Sequence, residues 1–146
     1  MTTIFFDMDG TIADFYGVEN WLDYLRAFDT YPYENARPLL NLQVLARRLN
    51  RLTQNGYAVE IISWTAKNST TEYDEAVAAA KIKWLRTHLK SVKFEKINIV
   101  AYGTLKDLFR HSENDILFDD EEKNRNDWQG IAHNVDDILE ILRGLK

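Results

Sequence analysis

The chain has 146 residues, 45% of them hydrophobic and 12% aromatic, enough for a packed core and too apolar for a disordered tail. Its formal net charge of −5 argues against non-specific nucleic-acid or anionic-membrane binding, which needs a basic face, but leaves room for a small anionic substrate, because one local cation outweighs a diffuse negative surface. Cysteine is absent, so disulfides and thiolate chemistry are out. No apolar run approaches the ~20 residues of a membrane span, and no charged leader with an apolar stretch precedes Ile4, so a cytoplasmic protein without a signal peptide is expected.

Thr3–Phe6 reads as a buried strand. Leu39, Leu42, Leu45, Leu49 and Leu52 recur at helical spacing, with Gly56 as a stop. Val59–Ile62 is a second strand. Thr70–Leu89 carries Tyr73, Val77, Ala80, Trp84 and Leu85 along one helical side, with Thr70 or Ser69 as cap. Ile97–Val100 is a third strand, Leu105–Phe109 a short helix, Ile116–Phe118 a fourth strand, Gly130–Ala132 a weak fifth, and Ile138–Leu145 a closing helix.

Continuous apolar strands alternating with amphipathic helices predict an α/β fold. It is a three-layer, Rossmann-like parallel sheet of five strands covered on both faces. One stretch breaks the rhythm: residues 15–37, with a helix-like Trp21–Phe28, separate the first strand from its crossover helix. A second domain usually takes ~50 residues or more, so a single domain over residues 1–146 with a minimal helical cap is expected.

Ligands of open parallel sheets bind beyond the carboxyl ends of the strands. Strand one ends in Asp7-Met8-Asp9-Gly10-Thr11, and strand two in Ser63-Trp64-Thr65. Lys106 follows strand three, and strand four ends in Asp119-Asp120. Like charges ~4 Å apart repel by about 4 kcal/mol per pair at an effective dielectric of about 20, so these carboxylates stay ionised together only around a cation. The ligands are all oxygens, which selects a hard cation such as Mg²⁺. A hard cation beside a lysine and a hydroxyl suits a phosphate group, and a small phosphorylated molecule is the expected partner.

The DMDGT run, the strand-end Ser63, Lys106 and the paired aspartates resemble the four motifs of the haloacid-dehalogenase-like hydrolases, in order from Thr3 to about Trp128. The resemblance implies a Mg²⁺-dependent phosphatase. Asp7 would attack phosphorus and form an aspartyl-phosphate, and Asp9 would serve as general acid and then base. The Asp7 carboxylate, the Asp9 backbone carbonyl and Asp120 would hold the metal, with Asp119 as a supporting or alternative ligand. Ser63 would hydrogen-bond a phosphoryl oxygen, with Thr65 as its rival, and Lys106 would neutralise the phosphate. Asn124 and Arg125 either orient the metal site or cap a helix.

A closer similarity is to the 5'(3')-deoxyribonucleotidases. It rests on DMDGTIADF, the Lys81-Ile82-Lys83-Trp84-Leu85 helix and the stretch through Lys106 to ILFDD. That similarity implies a nucleoside monophosphate substrate, with Phe15 against the base; those enzymes carry a larger helical insertion than residues 16–37 provide. Phe15 has a core role as its plainer reading, and Trp64 either lines the crevice or packs beneath it. The alternatives are a phosphatase of a sugar phosphate or a larger protruding phosphate, and a catalytically silent relative that binds phosphate or a protein. Trp84 and Trp128 read as structural, the three scattered histidines carry no assigned role, and Arg47, Arg48 and Arg51 form a wet helix face.

Overall fold

A computed structural model describes all 146 residues. Five strands form one parallel sheet: β1 (Thr3–Phe6), β4 (Ala58–Trp64), β5 (Lys96–Val100), β6 (Ile116–Phe118) and β7 (Ile131–His133), in the order β5-β4-β1-β6-β7. The expected α/β parallel sheet is therefore present. The strands β1 and β6 are apolar on both faces, as strands covered on both sides must be.

The two faces are unequally covered. Ile4, Phe6, Val59, Ile61, Ile116 and Phe118 pack against α3 (Leu42–Gln54), the second half of α4 (Thr71–His88) and α6 (Ile138–Gly144). On the other face Phe5, Ile62 and Leu117 meet only Trp128 and the short elements around it. These are a 3-10 turn at Lys106–Phe109 and α5 (Glu122–Asp127). The buried Glu60 lies in this thinner layer, where Asn98 and the His111 ring nitrogen meet its carboxylate at 3.0 and 2.6 Å.

Some boundaries shift from the sequence expectation, and one open choice is decided. The first crossover helix starts at Leu42, not Leu39, because Asn41 caps it by accepting from the backbone N–H groups of Gln43 and Val44. Leu39 is outside it and exposed, with its own N–H donating to the Ile12 carbonyl. Thr70, rather than Ser69, caps α4 by accepting from the Tyr73 N–H. Strand β4 runs two residues further than Val59–Ile62, so Ser63 and Trp64 are within the sheet, opposite Ile99 and Val100, and Thr65 is the first residue past it.

The excursion after β1 is also more ordered than one helix-like stretch. It is closed by a two-stranded antiparallel pair, β2 (Ala13–Asp14) with β3 (Arg37–Pro38), and holds α1 (Trp21–Arg26) and α2 (Tyr31–Asn35). Helix α1 stops at Arg26 rather than Phe28, whose backbone is left-handed at φ +56°. Pro32 fits the first turn of α2, where no backbone donor is required. Trp84 ties this insert to the sheet layer by donating its indole N–H to the Ala36 carbonyl at 2.8 Å. No helix is long and apolar enough to cross a membrane.

Candidate active site

Parallel register brings the carboxyl ends of the strands to one edge. Asp7 N–H donates to Phe118 O, Asp119 N–H to His133 O and Thr65 N–H to Val100 O, so each chain segment leaves the sheet at the same level. The loop after β1 then turns tightly. The N–H groups of Thr11, Ile12 and Ala13 all reach the Met8 carbonyl at 3.0 Å, and Gly10 takes φ +80°. A Cβ at Gly10 would collide with the Asp120 carboxylate, so glycine here serves both the turn and the approach of the two carboxylate loops.

Asp7, Asp9, Lys106, Asp119 and Asp120 do converge. Lys106, 3% exposed, donates to Asp7 Oδ1 at 2.9 Å and Asp119 Oδ2 at 2.7 Å. Thr11 Oγ1 lies 3.0 Å from Asp7 Oδ2 and 3.3 Å from Asp120 Oδ1, bridging the two acids. Asp119 is fully engaged. Its Oδ2 also accepts from Asn124, its Oδ1 from the Glu121 N–H, and Arg125 binds its carbonyl. Asn124 and Arg125 therefore hold the Asp119 loop in place. Asp120, by contrast, is only half-buried, and the hydroxyl of Thr11 is what steadies its carboxylate.

The charges are strongly coupled. Burial pushes the Asp7 carboxyl up, but Lys106 beside it, together with Asp120 and Lys81, outweighs that and holds it below the usual carboxylate range. Burial and the nearby Asp7 charge push Asp119 up to about 6 and Asp120 up to about 8. Lys106, despite burial, is raised to about 12 by Asp7 and Asp119. One oxygen from each of Asp7, Asp119 and Asp120 lies within 4.8 Å of the others, an excess of negative charge with only Lys106 among it. Such an all-oxygen donor set fits a hard divalent cation.

The sequence reading misses the place of Lys81 in the site. This lysine emerges from the middle of α4, is 1% exposed, and donates to Asp9 Oδ2 at 3.0 Å, Ser63 Oγ at 2.7 Å and the Trp64 carbonyl at 2.7 Å. The available signal is a lysine on the apolar stripe between Val77 and Trp84. Ser63 Oγ thus accepts from Lys81, with its own proton left to donate, whereas Thr65 Oγ1 is buried with no partner in the chain. Asp9 is pushed up by burial, with Lys81 pulling it back and Asp7 adding to the rise.

These groups close one end of a cavity of about 500 Å³. The insert and the loops after β4 and β5 supply the rest, including Tyr16, Tyr33, Trp64 and Tyr102. Trp64 lines the cavity with its indole N–H fixed to the Thr104 carbonyl; its ring stands 5.2 Å from the Lys106 ammonium. Phe15 borders the same space but is 3% exposed, held between Tyr16, Trp21 and Tyr33 at centroid distances of 5.2, 5.4 and 4.6 Å. That packing gives Phe15 the core role. The other aromatic rings lining the cavity that keep exposed surface are Tyr16, Trp21, Phe28, Trp64 and Tyr102.

The fold and edge together define an open parallel α/β protein with a carboxylate–lysine cluster at its strand ends. No family model matches the sequence, and no curated protein matches it. Among solved structures, D,D-heptose 1,7-bisphosphate phosphatase from Burkholderia thailandensis aligns over 98% of this chain and 97% of its own, with a TM-score of 0.54 at 13% identity. At that identity the likeness is one of fold.

Proposed function

We propose that the chain is a magnesium-dependent phosphomonoester hydrolase of the haloacid-dehalogenase-like type, acting through a phospho-aspartate on Asp7. The observation that carries this reading is the Asp7 carboxylate, buried at the end of a cavity, with Lys106 on one oxygen and Thr11 on the other. A carboxylate kept ionised in that way and facing a cavity is suited to act as a nucleophile. As Asp7 bonds to phosphorus the ester P–O bond breaks, and Asp9 gives its proton to the departing oxygen. Asp9 then takes a proton from the water that attacks the phospho-aspartate, releasing inorganic phosphate and restoring Asp7. Lys106 neutralises phosphoryl charge, and the Ser63 and Thr65 hydroxyls are the two candidates to donate to a phosphoryl oxygen, since Ser63 accepts from Lys81 and keeps its own proton and Thr65 has no partner in the chain.

The Asp7 carboxylate, the Asp9 carbonyl and Asp120 are the groups that would hold Mg²⁺, since Asp119 already spends both oxygens on Lys106, Asn124 and Glu121. Bound there, the ion would offset the negative charge that gathers on the phosphoryl oxygens. The favoured substrate class is a nucleoside monophosphate, because Trp64, Tyr16 and Tyr102 present ring surface for a planar base. A sugar phosphate is the second reading, favoured by the shared fold of the heptose bisphosphate phosphatase. Phosphate release measured across nucleoside monophosphates, sugar phosphates and an aryl phosphate, with Mg²⁺ or with chelator, tests the proposal. Release should require the metal and fall to background in Asp7→Asn; sustained turnover by that variant would refute the covalent mechanism.

A further inference from the structure

We infer that Lys81 is a positioning residue for Asp9: it anchors one carboxylate oxygen and leaves the other free for proton transfer. This role rests on Asp9 being the acid–base group proposed above. Lys81 is an unusual occupant of its site. The neighbouring buried positions on α4 are Val77, Ala80, Trp84 and Leu85, and an apolar side chain would satisfy that packing without removing an ammonium from water. The ammonium is retained with all three N–H donors used, on Asp9 Oδ2, Ser63 Oγ and the Trp64 carbonyl.

Those three acceptors come from two segments that are distant in sequence: the loop after β1 and the last two residues of β4. Three bonds from one rigid helix therefore fix the Asp9 carboxylate against the sheet edge rather than against its own loop. Asp9 Oδ1 makes no hydrogen bond within the chain, while Oδ2 is held by Lys81. In the reaction, the Oδ1 proton passes to the ester oxygen as the P–O bond breaks and is replaced by one from water in the second half. Lys81 keeps its own three protons throughout and does not touch substrate. Ser63 belongs to the same support, since its hydroxyl accepts from Lys81 beneath the site.

The ring of Tyr33, from α2 of the insert, lies 5.2 Å from the same ammonium. Its hydroxyl has no partner in the chain, and the residue borders the cavity while only 5% exposed. The anchor of Asp9 thus also touches the insert, so the position of the proton donor is registered against both walls of the cavity.

Lys81→Met and Lys81→Gln remove the charge while keeping a side chain of similar length; Lys81→Arg keeps a charge-bearing donor and gives a second variant should the others fold poorly. Hydrolysis of an alkyl phosphate, whose leaving group needs a proton, is compared with that of 4-nitrophenyl phosphate, whose leaving group does not. With phosphoenzyme formation rate-limiting, Lys81→Met should lose about 10²-fold on the alkyl ester and less than about 10-fold on the aryl ester, within the range typical of acid–base catalysis. The double variant Asp9→Asn/Lys81→Met should be no slower on the alkyl ester than Asp9→Asn alone. Lys81→Arg should recover part of the alkyl activity. Independently of activity, a metal-free crystal structure of Lys81→Met should have the Asp9 carboxylate rotated from its wild-type position. Equal losses on both esters, additivity with Asp9→Asn, or an unmoved Asp9 carboxylate would each overturn the role. Wild-type protein that hydrolyses neither ester would refute the phosphatase reading instead, and the crystallographic comparison would still decide whether Lys81 holds Asp9.

Discussion

The strand-end edge and the insert between β2 and β3 form opposite walls of one cavity, and they are built on different physics. At the edge, charged and polar atoms are matched individually: Lys106 with Asp7 and Asp119, Lys81 with Asp9, Asn124 with Asp119. The carboxylates follow the ends of β1 and β6, whose parallel register permits little adjustment, and their partners come from α4, α5 and the 3-10 turn after β5. The insert is held by ring contacts such as Tyr24 on Tyr31 and Phe28 on Tyr73, with Tyr16 and Phe28 about half exposed. Stacked rings are tolerant of small shifts. On the proposed reading the chemistry belongs to the sheet edge, and the insert is the wall that can be remodelled without disturbing it.

The sharpest way to break this division is at Asp9. General acid–base help contributes typically about 10²–10⁴-fold. Asp9→Asn should lose that much on an alkyl or nucleoside phosphate and clearly less on an aryl phosphate, read as kcat/KM with phosphoenzyme formation limiting. Equal losses would remove the acid role from the edge and leave Asp9 as a structural or metal-binding group.

Two substitutions around the cavity, one in the insert and one at the end of β4, separate packing from recognition. Phe15→Ala empties a site enclosed by three other rings and should cost about 3–5 kcal/mol of stability, seen as a large drop in melting temperature with all substrates depressed alike. Trp64→Ala removes a ring that faces the cavity, where base stacking is worth ~1–3 kcal/mol, or roughly 5- to 150-fold in binding. It should raise KM for nucleoside monophosphates selectively. If Phe15→Ala instead discriminates between substrates at an unchanged melting temperature, the assignment of core and platform is reversed.

The smallest effect is electrostatic. Asp119 and Asp120 are raised to about 6 and about 8 by burial and by the Asp7 charge, so the folded metal-free protein holds protons that the unfolded chain, with carboxylates near 3.8, gives up. A raised folded-state value stabilises fully below the unfolded one, and that contribution is lost as pH rises through the folded values. In chelator, the melting temperature should fall by several degrees from about pH 5 to about pH 9, and Mg²⁺ should flatten the decline. A melting temperature that rises over that interval would mean the carboxylates are not crowded in this way.

Much of the edge is legible in the sequence. Runs such as Thr3–Phe6 and Ile116–Phe118 are continuous and apolar because they are buried on both faces, and a parallel sheet makes the residues that follow them neighbours. Asp7, Asp9, Lys106, Asp119 and Asp120 can therefore be grouped from strand ends alone. The insert is less legible. Its two-residue strands β2 and β3 are too short to show a period, and α2 has only five residues.

Local pattern along the chain dictates where the strands fall and which charged residues follow them, because burial on both faces and turn chemistry act within a short window. Packing in three dimensions settles that β4 carries Ser63 inside the sheet and that Lys81 turns inward to Asp9 across 72 positions of sequence. A lysine on an apolar helical stripe has two outcomes, a head that reaches out to water or one that is buried on acceptors. The choice depends on whether distant segments bring those acceptors to it, and that is a property of the packed chain rather than of any window along it.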